Sequence, residues 1–147
     1  MNVDRQPIVI LVADDDEEDQ MLTRETFEDR RLANELRFVK NGEEALQYLR
    51  REGKFADPWA SPTPGLILLD LNMPKKDGRE TLAEIKADPR FRDIPVFVVT
   101  TSRAEEDVHQ TYELGGSSFI SKPITFDAFM ELVTTVTGYR IEIITAG

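Results

Sequence analysis

Three aspartates and a lysine fall where they can do chemistry together. Asp14 and Asp15 follow the apolar run Ile8 to Val12, Asp70 follows Leu66 to Leu69, and Lys122 lies just beyond Phe119-Ile120. If each run is a strand of one parallel sheet, all four side chains leave it at the carboxyl ends of the strands, the edge where open α/β sheets bind ligands. Three carboxylates gathered there repel: at about 5 Å and an effective dielectric near 20, each pair costs roughly 3 kcal/mol. A hard divalent cation, Mg²⁺ or Mn²⁺, relieves that repulsion, and Mg²⁺ prefers one or two carboxylates with waters and phosphate oxygens. Asp14 and Asp15 are read as the metal pair, with Asp70 and the backbone carbonyl of Asn72 completing the protein's share. Three carboxylates, one divalent cation and Lys122 then sum to zero formal charge.

A carboxylate can also attack phosphorus and form an acyl phosphate, while cation and amine stabilise the transferred oxygens. Asp70 stands alone at the end of the third run and is the natural nucleophile. Thr100 ends the fourth run, Val96 to Val99, where its hydroxyl can reach a new phosphate. Phe119 opens the fifth, beside the space a moving Thr would vacate. Each residue also has a plainer reading. Acids at strand ends are often turn formers, Thr100 can simply close a strand or cap a helix, and Phe119 can be ordinary core. Asp16, Glu17, Glu18 and Asp19 are read as a solvated helix start favoured by the macrodipole.

Positioning these groups requires strands and helices in alternation. The apolar runs Ile8 to Val12, Leu36 to Val39, Leu66 to Leu69, Val96 to Val99 and Phe119-Ile120 predict five strands, and the amphipathic stretches between them predict helices on both faces. Three helix starts carry capping-box spacing: Asn41 with Glu44, Asp77 with Glu80, and Ser102 with Glu105. Behind them, Ala45, Leu46 and Leu49, then Leu82 and Ile85, then Ala104, Val108, Thr111 and Tyr112, and finally Phe126, Phe129, Met130, Val133 and Val136 recur at helical intervals. A first helix after Asp16, with Leu22, Thr26 and Phe27 on one face, is placed partly by topology. The expectation is a doubly wound α/β fold with a five-stranded parallel sheet in the order 2-1-3-4-5 and right-handed crossovers.

Two segments exceed that plan: the loop Gly53 to Gly65, with Pro58, Trp59, Pro62 and Pro64, and the alternating tail Tyr139 to Thr145 after Gly138. Trp59 is read as a local packing anchor, and His109, the only histidine, as exposed and idle. The chain's 147 residues suit one domain. Its net charge of −10 repels phosphate backbones and anionic lipid, so neither nucleic acid nor membrane is an expected partner. With no cysteine, disulfides and thiolate chemistry are excluded. Neither a signal sequence nor a membrane span is read, and a cytoplasmic location is expected.

In order and spacing, Ile-Leu-Val-Ala-Asp14-Asp15, Leu-Leu-Asp70-Leu-Asn-Met-Pro74-Lys-Lys-Asp77-Gly78, Val-Val-Thr100-Thr-Ser and Ser-Lys122-Pro123 resemble the response-regulator receiver domains of two-component signalling. The resemblance spans about residues 7 to 137 and implies a flavodoxin-like fold. It implies Asp70 as phosphoacceptor, Asp14 and Asp15 as Mg²⁺ ligands, Thr100 and Phe119 as a switch pair, Lys122 on the phosphate, and a cis peptide before Pro123. A closer resemblance, carried by the long loop, Thr100-Thr101-Ser102 and the tail, is to stand-alone regulators that pair with phytochrome-type histidine kinases and often form homodimers. Those relatives often have Glu where this chain has Asp14.

The implied protein is one receiver domain over residues 1–147, with a C-terminal extension from 138 and no effector domain. Its implied partners are a sensor histidine kinase of the phytochrome type, a downstream protein or phosphorelay partner, and a second copy of itself. It would label and slowly unlabel itself without being an enzyme. Two alternatives stand beside this reading. One is a receiver fold used as a constitutive interaction module. The other is a haloacid-dehalogenase-type phosphatase, which would turn over an outside phosphoester and for whose cap region the chain has little room.

Overall fold

The five apolar runs become five strands in this computed structural model, which describes residues 8–29, 34–71, 73, 76–100, 118–122 and 124–132. They are β1 (Ile10–Ala13), β2 (Leu36–Val39), β3 (Leu66–Asp70), β4 (Val96–Thr100) and β5 (Ser118–Ser121), paired in parallel in the order β2-β1-β3-β4-β5. The helices between them are α1 (Glu17–Asp29), α2 (Gly42–Arg50) and α3 (Gly78–Ala87), and α4 (Phe126–Leu132) follows β5. β1, β3 and β4 are buried at every position, which is why they read as unbroken apolar runs. Asp70 is the last residue of β3, not the first beyond it, and Thr100 ends β4 as read from the sequence; the ladder continues past both, the Leu71 N–H donating to the Val99 carbonyl and the Lys122 N–H to the Thr100 carbonyl, each at 3.0 Å.

Strand side chains alternate between two cores. Ile10, Val12, Leu66, Leu68, Phe97, Val99 and Ile120 pack on one face with Phe27 of α1 and Phe129 of α4. Leu11, Ala13, Ile67, Leu69, Val96 and Val98 pack on the other with Ala45, Leu46 and Leu49 of α2 and Leu82 and Ile85 of α3. Phe119 joins this second face, in register with Val98.

The caps form as their spacing predicts. Asn41 accepts from the Glu44 N–H at 2.8 Å while the Glu44 carboxylate accepts from the Lys40 N–H at 2.9 Å, and Asp77 accepts from the Glu80 N–H at 3.0 Å. At α1, Asp16 accepts from the N–H groups of Glu18 and Asp19. Of the expected buried face of α1, Phe27 is buried as read and Leu22 is not. Leu22 is exposed, and the buried stripe is Thr23 and Phe27, one residue round the helix and four apart.

Trp59 also departs from its expected role: it is 89% exposed. An Asx turn, with the Trp59 N–H donating to Asp57 at 2.9 Å, turns the indole outward. Polar donors anchor the loop in its place. The Tyr48 hydroxyl donates to the Pro62 carbonyl at 2.8 Å, and the buried Ser61 hydroxyl lies 2.8 Å from the Phe55 carbonyl. Among the described residues, no helix is long and apolar enough to cross a membrane. Asn72, Pro74, Pro123, the expected helix over Ala104 to Tyr112 with its Ser102 cap and His109, Val133, Val136 and the Tyr139 to Thr145 tail lie outside the described residues.

Candidate functional site

Continuing the strand alternation places Asp14, Asp70 and Lys122 on the same face as Val12, Leu68 and Ile120, the face covered by α1 and α4. The three meet there. Lys122 Nζ lies 3.0 Å from Asp14 Oδ2 and 2.8 Å from Asp70 Oδ2. Both residues are 5% exposed, so a charge on either carries a desolvation cost that the ammonium offsets. The remaining Asp14 oxygen, Oδ1, accepts from the Asp16 N–H at 3.0 Å. Asp15, exposed on the other side of the strand end, completes a triad with Asp14 and Asp70 in which one oxygen from each lies within 4.8 Å of the others.

Burial raises the Asp14 pKa to about 6, against the lowering effects of the Asp16 N–H and of Lys122. Lys122 is held above the ordinary lysine range: burial alone would lower it, but Asp19, Asp70 and Asp14 more than compensate. The first shift reflects burial of the Asp14 carboxylate, the second the carboxylates gathered on Lys122. An all-oxygen donor set of three carboxylates, two of them buried, fits a hard divalent cation of the Mg²⁺ or Mn²⁺ kind better than a soft metal.

Thr100, fully buried, follows Val96 and Val98 in the alternation and therefore belongs to the opposite face, with Phe119. The two sides are joined at the rim by the Lys122 N–H donating to the Thr100 carbonyl. Gly78 supports Asp70 from behind. Its N–H donates to the Leu71 carbonyl at 3.0 Å, and a Cβ there would lie 2.4 Å from the Asp70 carbonyl oxygen, so only glycine permits the approach.

Asp19 is the residue that sequence reasoning missed. It is not merely a solvated helix start: its Oδ2 lies 2.8 Å from Lys122 Nζ. Three carboxylates therefore surround the ammonium and Asp15 adds a fourth to the cluster, so with one divalent cation the formal charge is −1 and not the zero first counted. The available signal was spacing. Asp19 stands four and eight residues before Thr23 and Phe27, the two buried positions of α1, so it heads the stripe that faces the sheet. A cavity of about 90 Å³ beside it is lined in part by Asp14, Asp19, Thr23 and Lys122.

Comparison with known proteins places this geometry. The response regulator receiver domain model matches residues 10–134. Response regulator Rcp1 of Synechocystis sp. is 39% identical over 139 residues, covering 95% of this chain and 92% of the relative. The Mn(2+)-bound form of Rcp1 superposes with a TM-score of 0.74 at 38% identity, over 96% of this chain and 99% of that one. The bacteriophytochrome response regulator AtBRR gives 0.82 at 36% identity, over 92% and 96% of the two chains. The phosphorylated cyanobacterial phytochrome response regulator RcpA gives 0.77 at 36%, over 94% and 99%.

Proposed function

The chain belongs to the response-regulator receiver family, and from that premise we propose that it accepts a phosphoryl group on Asp70 from a histidine kinase and signals by a change of conformation. One observation carries the reading: Asp70 and Asp14, both buried, converge on Lys122 at the carboxyl edge of the sheet. An Asp70 carboxylate oxygen attacks phosphorus. The new O–P bond forms as the N–P bond to the donor imidazole breaks, and its electron pair stays on nitrogen. Reversal to the resting state is hydrolysis, in which water attacks phosphorus, the O–P bond breaks, and inorganic phosphate leaves the Asp70 carboxylate behind.

Lys122 faces the transferred oxygens and offsets their charge. Asp14, Asp15, Asp70 and the Asn72 carbonyl hold the divalent cation, Mg²⁺ in the working protein and Mn²⁺ in substitution, which neutralises phosphoryl charge when bound. Thr100 and Phe119 form the switch pair, with the Thr100 hydroxyl drawn toward the phosphate and Phe119 turning into the space it leaves. Such a switch needs only a few kcal/mol of preference between its two states.

The similarity to phytochrome response regulators supports a phytochrome-type kinase as donor; a homodimer is proposed only through the family resemblance read in the sequence. We assign the whole chain to one receiver unit in the cytoplasm, its core about residues 7 to 137, with output through a downstream protein or phosphorelay partner. The test is incubation with acetyl phosphate and MgCl₂, read by intact mass spectrometry beside Asp70→Asn and a chelated control. One added phosphoryl group is expected on the wild type with metal and none on either control. An unlabelled wild type, under conditions that label another receiver, would move the reading to a constitutive interaction module.

A further inference from the structure

Lys122 has three ammonium protons, and three carboxylates meet them: Asp70 at 2.8 Å, Asp19 at 2.8 Å and Asp14 at 3.0 Å. No proton is left over for a newcomer. For Lys122 to donate to a phosphoryl oxygen, one of the three contacts has to be surrendered. Asp70 is itself converted when phosphorylated, and Asp14 has a second task in holding the cation. Asp19 comes from a different element, α1, and among the three it is the one without another assignment in the reaction. We infer that Asp19 is a positioning residue that competes with the phosphoryl group for Lys122 and so sets how strongly the site holds phosphate.

The geometry of α1 supports this role. Asp19 heads the buried Thr23–Phe27 stripe, so packing of Phe27 against Phe129, ring centroids 4.8 Å apart, fixes the helix that carries the carboxylate. The cavity lined by Asp14, Asp19 and Lys122 lies among these same groups, and Asp70 is not part of its wall. Asp19 therefore holds the ammonium from the α1 side as closely as Asp70 holds it from β3. It also adds a fourth negative charge next to a site that must accept more. Both effects act in one direction: they weaken the phosphorylated state against the resting one.

The inference rests on the phosphoacceptor reading, and its test separates the two. Beryllium in excess fluoride forms a tetrahedral adduct on an aspartate that stands in for the phosphoryl group without a covalent transfer. The full chain in MgCl₂ is titrated with beryllofluoride, bound fluorine is followed by NMR, and labelling by acetyl phosphate is timed in parallel. Asp19→Asn and Asp19→Ala are expected to bind the adduct about fivefold more tightly than the wild type, about 1 kcal/mol by the tenfold-per-1.4 relation, and to label faster. Asp19→Glu, which keeps the charge within reach of Lys122, is expected to stay with the wild type. Glu18→Gln removes an exposed charge from the same turn and is expected to change nothing.

A helix-stabilising role for Asp19 would predict a loss on substitution, not a gain. Equal affinities for wild type and both neutral variants would overturn the inference and leave the phosphoacceptor reading standing, as would a gain shared by Glu18→Gln. If the wild type forms no adduct and takes no label, both fall together.

Discussion

Replacing Gly78 with alanine tests whether the backbone behind Asp70 is held by close packing. The added Cβ would lie 2.4 Å from the Asp70 carbonyl oxygen and 2.7 Å from Leu71 Cα. Both are main-chain atoms, so no side-chain rotation relieves the contact. Ordinary contacts begin near 3.4 Å, and the backbone must therefore yield by about 1 Å. Overpacking of this kind costs about 1–3 kcal/mol, whereas alanine in place of glycine in a helix gains at most about 1 kcal/mol.

The net expectation is a loss of up to about 3 kcal/mol, centred on about 1.5 kcal/mol, which lowers Tm by roughly 3–6 °C for a chain of this size. The functional effect should be larger than the stability effect, because a 1 Å misplacement at a reacting group can cost about 100-fold in rate. The assay is a thermal melt by circular dichroism and, at a temperature where the variant is folded, the initial rate of labelling by acetyl phosphate in MgCl₂. A variant that melts at or above the wild-type temperature and labels at the wild-type rate would refute the close-packing argument, since helix propensity would then have outweighed a contact that does not constrain Asp70.

Two further outcomes follow from the charges. Hydrogen bonds from Lys54 Nζ at 2.8 Å and the Lys40 N–H at 2.9 Å outweigh the effect of burial and hold the Glu44 carboxylate below its ordinary 4.5. Its stabilisation is therefore present above about pH 4.5 and is lost as pH falls through the lowered folded-state value. Glu44→Gln should melt below the wild type at pH 7 by an amount worth about 0.5–1 kcal/mol, and the gap should close in acid; a gap that persists unchanged at pH 3 would count against this account. The acidic triad should also make stability depend on metal: MgCl₂ at about 100 times its Kd should add about 2.7 kcal/mol, and Asp14→Asn should abolish the rise in Tm. A wild-type melt indifferent to MgCl₂ would tell against cation binding at the triad.

The sheet was legible because parallel strands covered on both faces read as continuous Ile, Val and Leu runs, and Asn41 and Asp77 marked two helices through local chemistry that needs no tertiary context. Asp14, Asp15, Asp70 and Lys122 were legible because strand ends in this topology share an edge. Asp19 was not. A first-turn acid has a sufficient local explanation in the helix macrodipole, and its partner is 103 residues away. Leu22 misled for a related reason: α1 carries few apolar residues, so the choice between Leu22 and Thr23 for its buried face depends on a one-residue rotation that hydrophobicity alone assigns wrongly. Trp59 was misplaced because an indole among prolines resembles an anchor, while the loop is in fact fastened by Tyr48 and Ser61.

The parity of the strands has a consequence for substitutions. Asp14, Asp70 and Lys122, together with Asp19, lie on the α1 and α4 side of the sheet, and Thr100 and Phe119 lie on the other, the two sides touching at the rim through the bond from Lys122 to Thr100. The sheet is a partition, crossed at the rim by that bond. If Asp70 is the phosphoacceptor as proposed, substitutions in α1 would change how firmly the site holds a phosphoryl group while leaving the Thr100 and Phe119 side of the sheet as it is.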